Sequence, residues 1–140
     1  MMTQNRSTGL LAITLALSSA TAAAAPRDEL LAAYAMATKK DEPAFSGFSA
    51  TRGDSFHRQS FAGGKPETPA CTSCHSNDPR TAGRTPAGKA IDPMAASANP
   101  ARYSDPAKVE KWFRRNCNEV LGRECSAQEK GDWLSYMISR

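Results

Sequence analysis

The fold is organised around Cys71-Thr72-Ser73-Cys74-His75, in which two residues separate the two cysteines and a histidine follows the second cysteine directly. This spacing is the attachment signature of a c-type haem. One helical turn brings both thiols to neighbouring vinyl groups of the porphyrin, and the adjacent imidazole then reaches the iron from one face. We expect Cys71 and Cys74 to hold one covalent haem c, and His75 to be the proximal iron ligand.

The same cysteines leave two other hypotheses open. By count alone, Cys71, Cys74, Cys117 and Cys125 could form a four-cysteine zinc site. That site would give His75 no role, and it is less expected in an oxidising compartment. A redox dithiol of the thioredoxin kind would need a βαβ context, which the sequence lacks.

The first residues indicate export. A positively charged start, Met1 to Arg6, precedes the uncharged apolar run Leu10 to Leu17 and a tail of small residues with A-x-A sites. The apolar run is too short to span a bilayer, so an uncleaved anchor is the weaker alternative. The prediction is a secretory signal peptide at 1–24 and a haem domain at 25–140, periplasmic and not inserted in the membrane after cleavage.

Composition excludes some classes of function. The chain has 18 basic and 14 acidic residues, and Arg6 is the only charged residue of the predicted signal, so 17 basic residues remain and the net charge is +3. This mild excess does not predict nucleic-acid binding, which usually shows a strong basic stripe. The large apolar side chains are few, and a covalent haem would add an apolar plate for them to pack on.

Four segments have helical patterns, and together with the haem motif they predict a small all-α, class I cytochrome c-like single domain. Asp105-Pro106 is a strong helix start, and Ser126 to Glu129 is a capping box. In the third helix, Val109, Trp112 and Phe113 are expected on one buried face. The predicted helices are Arg27–Lys40, Thr51–Phe61, Asp105–Asn118 and Ser126–Ile138, with Gly53 allowing a close helix contact.

The residue on the second face of the iron would decide the function, and the residues themselves offer two candidates. His57 could be a sixth ligand, but the favoured interpretation is a partly exposed polar residue. Met94 has the thioether that many electron-carrying cytochromes c use. It stands only 19 residues after His75, so packing on the haem plane or edge is favoured. The segment between them, Asn77–Gly88, is expected to be irregular with short helical turns.

Two further features lie near the C-terminus. In an exported protein, Cys117 and Cys125 are expected to form a disulfide. The basic residues of the third helix could dock an acidic redox partner, although a solvated helix face is the more common outcome; they are Lys108, Lys111, Arg114 and Arg115.

Beyond the haem motif, the chain resembles the sphaeroides haem protein family over about residues 45–138. The order and spacing of several short motifs are more specific than the haem motif itself. They are Gly63-Gly64-Lys65-Pro66, Thr68-Pro69, Pro93-Met94-Ala95, Val109-Glu110-Lys111-Trp112, Arg115-Asn116-Cys117 and Gly122-Arg123-Glu124-Cys125.

The resemblance implies a high-spin c-type cytochrome with an asparagine as second ligand, which leaves the iron on reduction. The matching residue is Asn116, and the family's disulfide maps onto Cys117 and Cys125. The residues alone would have made Asn116 an ordinary polar residue near a helix end. The resemblance also implies binding of O2, NO or CO, and electrons from a diheme cytochrome c or a membrane cytochrome b. Whether the protein also reduces oxygen or detoxifies a ligand as an enzyme is left open.

Overall fold

The computed structural model describes residues 21–140. Four α-helices make up most of this part of the chain: α1 (Thr21–Asp41), α2 (Ala50–Arg58), α3 (Pro106–Leu121) and α4 (Ala127–Ile138). The all-α prediction is confirmed. Most of the predicted signal peptide lies outside the described residues, so that prediction stays untested. None of the described helices is both long and apolar enough to cross a bilayer.

Helices α3 and α4 begin as their sequences predict. The carboxylate of Asp105 accepts a hydrogen bond from the Lys108 amide at 3.1 Å, and Pro106 occupies the first turn. At α4, Ser126 and Glu129 form the reciprocal capping box. Such caps satisfy amide groups that have no partner within the helix.

The end of α3 lies three residues beyond the prediction, at Leu121, where Gly122 adopts the left-handed conformation (φ 72°). Glycine enters this conformation without steric cost and commonly terminates a helix in this way. The disulfide between Cys117 and Cys125 is present. It joins the last turn of α3 to the residue before the α4 N-cap, so the two helices are covalently tied at this corner.

The core lies where α1, α3 and α4 meet, and α2 crosses α4 closely. A Cβ atom added at Gly53 would lie 2.1 Å from the backbone oxygen of Asp132. The expected close helix contact at Gly53 is therefore confirmed. The Asp132 carboxylate also accepts hydrogen bonds from the Ser49 amide at 2.7 Å and from the Arg52 guanidinium, so it fixes the start of α2 against α4.

Local structure departs from the expectations at two points. The 77–88 segment is irregular, as expected, with turns closed by hydrogen bonds from the Thr81 amide to the Asp78 carbonyl and from the Gly88 amide to the Thr85 carbonyl, but it also contributes one strand of a two-residue antiparallel pair, β1 (Gly83–Arg84) with β2 (Ala90–Ile91). Trp112 is 45 % exposed, although its helical spacing predicts burial. The core stripe of α3 runs through Val109 and Phe113, and Trp112 stands about 100° around the helix from Phe113.

Candidate haem site

The haem motif lies on a single tight turn. Cys71–Ser73 form a 3-10 helix, and the amides of Cys74 and His75 donate to the Cys71 carbonyl at 3.3 Å and 2.9 Å. Both thiols are free and half-buried. The turn thus holds two thiols and an imidazole together, as the sequence predicts. A cleft of about 450 Å³ lies beside it, lined by residues 72–77, 82–84 and 90.

The electrostatics of the thiols argue against a redox dithiol. Burial raises the pKa of the Cys71 thiol to about 12. The pKa of Cys74 is also raised, first by burial and then by the nearby carboxylate of Glu119. Reactive cysteines have lowered thiol pKa values instead. The zinc hypothesis loses two of its four ligands, because Cys117 and Cys125 are joined to each other.

The donor set fits a haem. Among the described residues, the His75 imidazole has no hydrogen-bond partner, and its Nδ1 atom is buried. Buried polar atoms are nearly always paired, so an unpaired imidazole requires an explanation such as ligation. Burial is the main cause that lowers the pKa of His75 to about 4, so the ring is neutral and able to bind a metal. Two free thiols and one neutral imidazole are what covalent haem attachment requires.

Asn116 lies on α3, away from this turn in sequence. Its side chain is half-buried, and within the described part of the chain its amide makes no hydrogen bond. Asn118, two residues later, is exposed and donates to the Arg114 carbonyl at 2.7 Å. No hydrogen bond between described residues joins Asn116 to His75. Asn116 shares a helix face with Trp112 and with Glu119, since these positions are three and four residues apart.

A glycine-rich loop ties this part of α3 to the segment before the motif. The Lys65 amide donates to the Glu119 carbonyl at 2.7 Å, and its ammonium lies 3.3 Å from the Glu119 carboxylate. A Cβ atom at Gly64 would lie 2.3 Å from the Glu119 carbonyl oxygen, so only glycine allows this approach. The loop closes where the Phe61 amide donates to the Pro69 carbonyl at 2.7 Å. The chain that delivers Cys71 is thus anchored three residues beyond Asn116.

Met94 is packed inside the polypeptide. Its side chain is 7 % exposed and belongs to the apolar core. Its amide donates to the Pro79 carbonyl at 2.8 Å, and its carbonyl accepts from the Tyr103 hydroxyl at 2.6 Å. The backbone of Met94 is therefore held on both sides.

His57 differs from its predicted state. It is completely buried rather than partly exposed, because α2 presents it to α4. Its Nε2 atom lies 3.1 Å from the Ser76 carbonyl oxygen, and its Nδ1 atom accepts from the Trp133 indole at 3.2 Å. Gly53, four residues earlier on the same face, is the signal that could have revealed this burial, since the closest helix contact passes through it.

Comparison with known proteins agrees with this site. Residues 43–137 match the family model for a domain of unknown function, DUF1924. The chain is 48 % identical over 91 residues to the cytochrome c-type protein SHP of Cereibacter sphaeroides, covering 65 % of this chain and 70 % of that protein. The chain belongs to the sphaeroides haem protein family. It is accordingly a monohaem c-type cytochrome that carries covalent haem c.

Solved structures of this family and of a related cytochrome have the same fold. The structure of oxidised SHP, described as an oxygen-binding cytochrome c, superposes with a TM-score of 0.75 at 42 % identity, over 81 % of this chain and 96 % of that one. Cytochrome c'' of Methylophilus methylotrophus is 33 % identical over 113 residues, covering 80 % of this chain and 78 % of that protein. Its solution structure, which concerns haem-ligand detachment, gives a TM-score of 0.73 at 32 % identity, over 83 % and 94 % of the two chains.

Proposed function

We propose that this family member is a gas-binding cytochrome whose distal ligand, Asn116, is bound to iron only in the oxidised protein. Cys71 and Cys74 attach the haem, and His75 is the permanent ligand on the proximal side. The observation that carries the proposal is the state of Asn116: a half-buried amide with no hydrogen bond among the described residues, one residue before a disulfide. Haem c supplies, when bound, the redox-active iron at which a diatomic gas is taken up.

The proximity of α3 to the haem motif supports the proposal that Asn116 is a ligand. The Glu119 carboxylate is close enough to raise the pKa of the Cys74 thiol. Glu119 and Asn116 share one face of α3, because they stand three residues apart. We propose that Asn116 is directed from that face toward the space beside the haem-binding turn. Asn118, in contrast, is exposed to solvent and bonds to the Arg114 carbonyl of its own helix.

The chemistry of an amide ligand explains why it would leave. The Asn116 amide oxygen is a neutral, hard donor that suits ferric iron better than the softer ferrous iron. Once it has left, the side chain stays near on α3, and its amide N–H can donate a hydrogen bond to a gas. A methionine ligand would favour ferrous iron and block the gas.

The relatives support the same function. SHP is described as an oxygen-binding cytochrome c, and the cytochrome c'' structure concerns detachment of a haem ligand. We extend both properties to this chain. O2, NO and CO are the proposed ligands, and a diheme cytochrome c or a membrane cytochrome b is the proposed electron donor. We also propose that residues 1–24 direct export to the periplasm.

An electron shuttle with a fixed sixth ligand is less well supported. Met94 is buried in the apolar core with its backbone held by Pro79 and Tyr103. His57 already uses both ring nitrogens. His57 would have to give up these hydrogen bonds to reach iron, and the Met94 side chain would have to leave the apolar core.

An absorption spectrum of the reduced protein tests the proposal. We expect a high-spin ferrous spectrum that shifts at once when carbon monoxide is added, because no side chain then occupies the distal position. A low-spin ferrous spectrum with no immediate shift would mean a fixed sixth ligand and would support the electron shuttle instead.

A further inference from the structure

The buried histidine of α2 has a defined protonation state and a defined orientation. An indole N–H can only donate, so the Trp133 contact at 3.2 Å makes the Nδ1 atom of His57 an acceptor. The ring proton therefore lies on Nε2, which donates to the Ser76 carbonyl oxygen at 3.1 Å. Burial lowers the pKa of His57, which keeps the ring neutral. Both nitrogens are thus satisfied by one tautomer only.

The acceptor of this hydrogen bond is next to the proximal ligand. Ser76 follows His75 directly, and the two imidazole rings lie 6.5 Å apart, centre to centre. Histidines that bind metals usually donate their second ring N–H to a carbonyl, a carboxylate or water, which fixes the ring. Within the described residues His75 has no such partner. The orientation of its ring must therefore come from its backbone and from the groups packed against it.

The last turn of α2 supplies that restraint. His57 holds the Ser76 carbonyl from inside the core, and Arg58 donates to the next carbonyl, that of Asn77, at 2.8 Å from the solvent side. A histidine that only filled the core would still need hydrogen-bond partners. It would not need one of them to be the carbonyl of the residue next to the metal ligand. An apolar side chain would fill the same volume without burying a polar ring.

We propose that His57, oriented by Trp133, is a positioning residue for the proximal ligand. The hydrogen bonds from Trp133 Nε1–H to His57 Nδ1 and from His57 Nε2–H to the Ser76 carbonyl fix the backbone of the residue after His75. The His75 ring then keeps one orientation toward iron. This sets the strength of the proximal bond, and through it the reduction potential and the rate at which a gas is released. The inference rests on the proposed function only in taking His75 as an iron ligand.

Two substitutions in the holoprotein each remove part of this series of hydrogen bonds. His57→Leu fills the core but breaks both hydrogen bonds, and Trp133→Phe removes only the indole donor. Ser55→Ala is the matched control, because it alters an exposed side chain of the same helix that takes no part in these hydrogen bonds. Tyr136→Phe is a second control, because it keeps the ring that packs 5.9 Å from His57 and removes only the hydroxyl.

We expect His57→Leu to shift the reduction potential and to change carbon monoxide release about tenfold, the scale of effect seen for partners of metal-binding residues. Trp133→Phe should act in the same direction more weakly, and both controls should match the wild type. Long-range 15N–1H NMR of the ferrous carbon monoxide complex should show His57 protonated on Nε2 in the wild type and a mixture of tautomers in Trp133→Phe.

Wild-type potential and release rate in a folded His57→Leu protein would overturn the inference, as would an Nδ1 proton on His57 in the wild type. If His57→Leu does not fold, Trp133→Phe and the tautomer measurement decide the question, since neither removes the histidine. A failure of the proposed function would be seen separately, as a low-spin ferrous wild type; the reduction potentials still test the positioning role in that case.

Discussion

At the scale of single residues, Gly53 has no side chain, and this allows α2 to pack directly against the backbone of α4. Gly53 approaches the Asp132 backbone so closely that an added Cβ would lie 2.1 Å from its oxygen and 2.8 Å from the Tyr136 Cβ. The neighbour is a helix backbone, which moves only as a unit. The same contact places His57, one turn later, inside the core.

Gly53→Ala should therefore destabilise the protein, although alanine is the better helix former. Overpacking of this kind costs about 2 kcal/mol, which corresponds to a fall of about 10 °C in Tm for a domain of this size. Thermal unfolding followed by circular dichroism measures it. Ser55→Ala, at an exposed position of the same helix, is the control and should leave Tm nearly unchanged. A Gly53→Ala protein as stable as the wild type would show that the helices can separate at no cost.

The sequence predicts a residue's interactions where its hydrogen-bond partner is close in the sequence. The caps at Asp105 and Ser126 depend on residues three positions away, and both predictions are confirmed. The burial of His57 could not be read locally, because its partner Trp133 is 76 residues away. The proposed role of Asn116 rests on the family resemblance, since an asparagine in a helix has no distinguishing local pattern.

At the scale of elements, the disulfide connects the helix that carries Asn116 to the start of α4. Cys117 follows Asn116 directly, and Cys125 precedes the α4 N-cap. The link restrains the last turn of α3, where the glycine-rich loop also packs. Under the proposed function, it would limit how far Asn116 moves when it is not bound to iron.

Replacing both cysteines, Cys117→Ser with Cys125→Ser, should lower the free energy of unfolding by about 2–3 kcal/mol, as loop-closure entropy predicts for a ring of this size. Urea unfolding measures this loss. The return of Asn116 to iron after rapid oxidation, followed by stopped-flow absorption, should also change in rate, because α3 has lost its restraint. A wild-type rate in the destabilised variant would limit the disulfide to a structural role.

At the scale of the whole molecule, the haem-binding turn is held by contacts from segments that precede it and follow it in the sequence. His57, held by Trp133, supports the Ser76 carbonyl next to His75, and the loop at Gly64 connects the segment before Cys71 with the end of α3. The sequence predicted the helices and the turn. It did not predict these connections, which depend on packing between residues far apart in the chain.

The proposed function requires that Asn116 is a ligand of the oxidised protein and not of the reduced one. The most direct measurement compares ferric and ferrous absorption and resonance Raman spectra of the wild type, Asn116→Ala and the control Asn118→Ala, all with haem attached. We predict that Asn116→Ala alters the ferric spectra and leaves the ferrous spectra unchanged, whereas Asn118→Ala alters neither. Ferric spectra of Asn116→Ala identical to those of the wild type would show that Asn116 does not bind ferric iron.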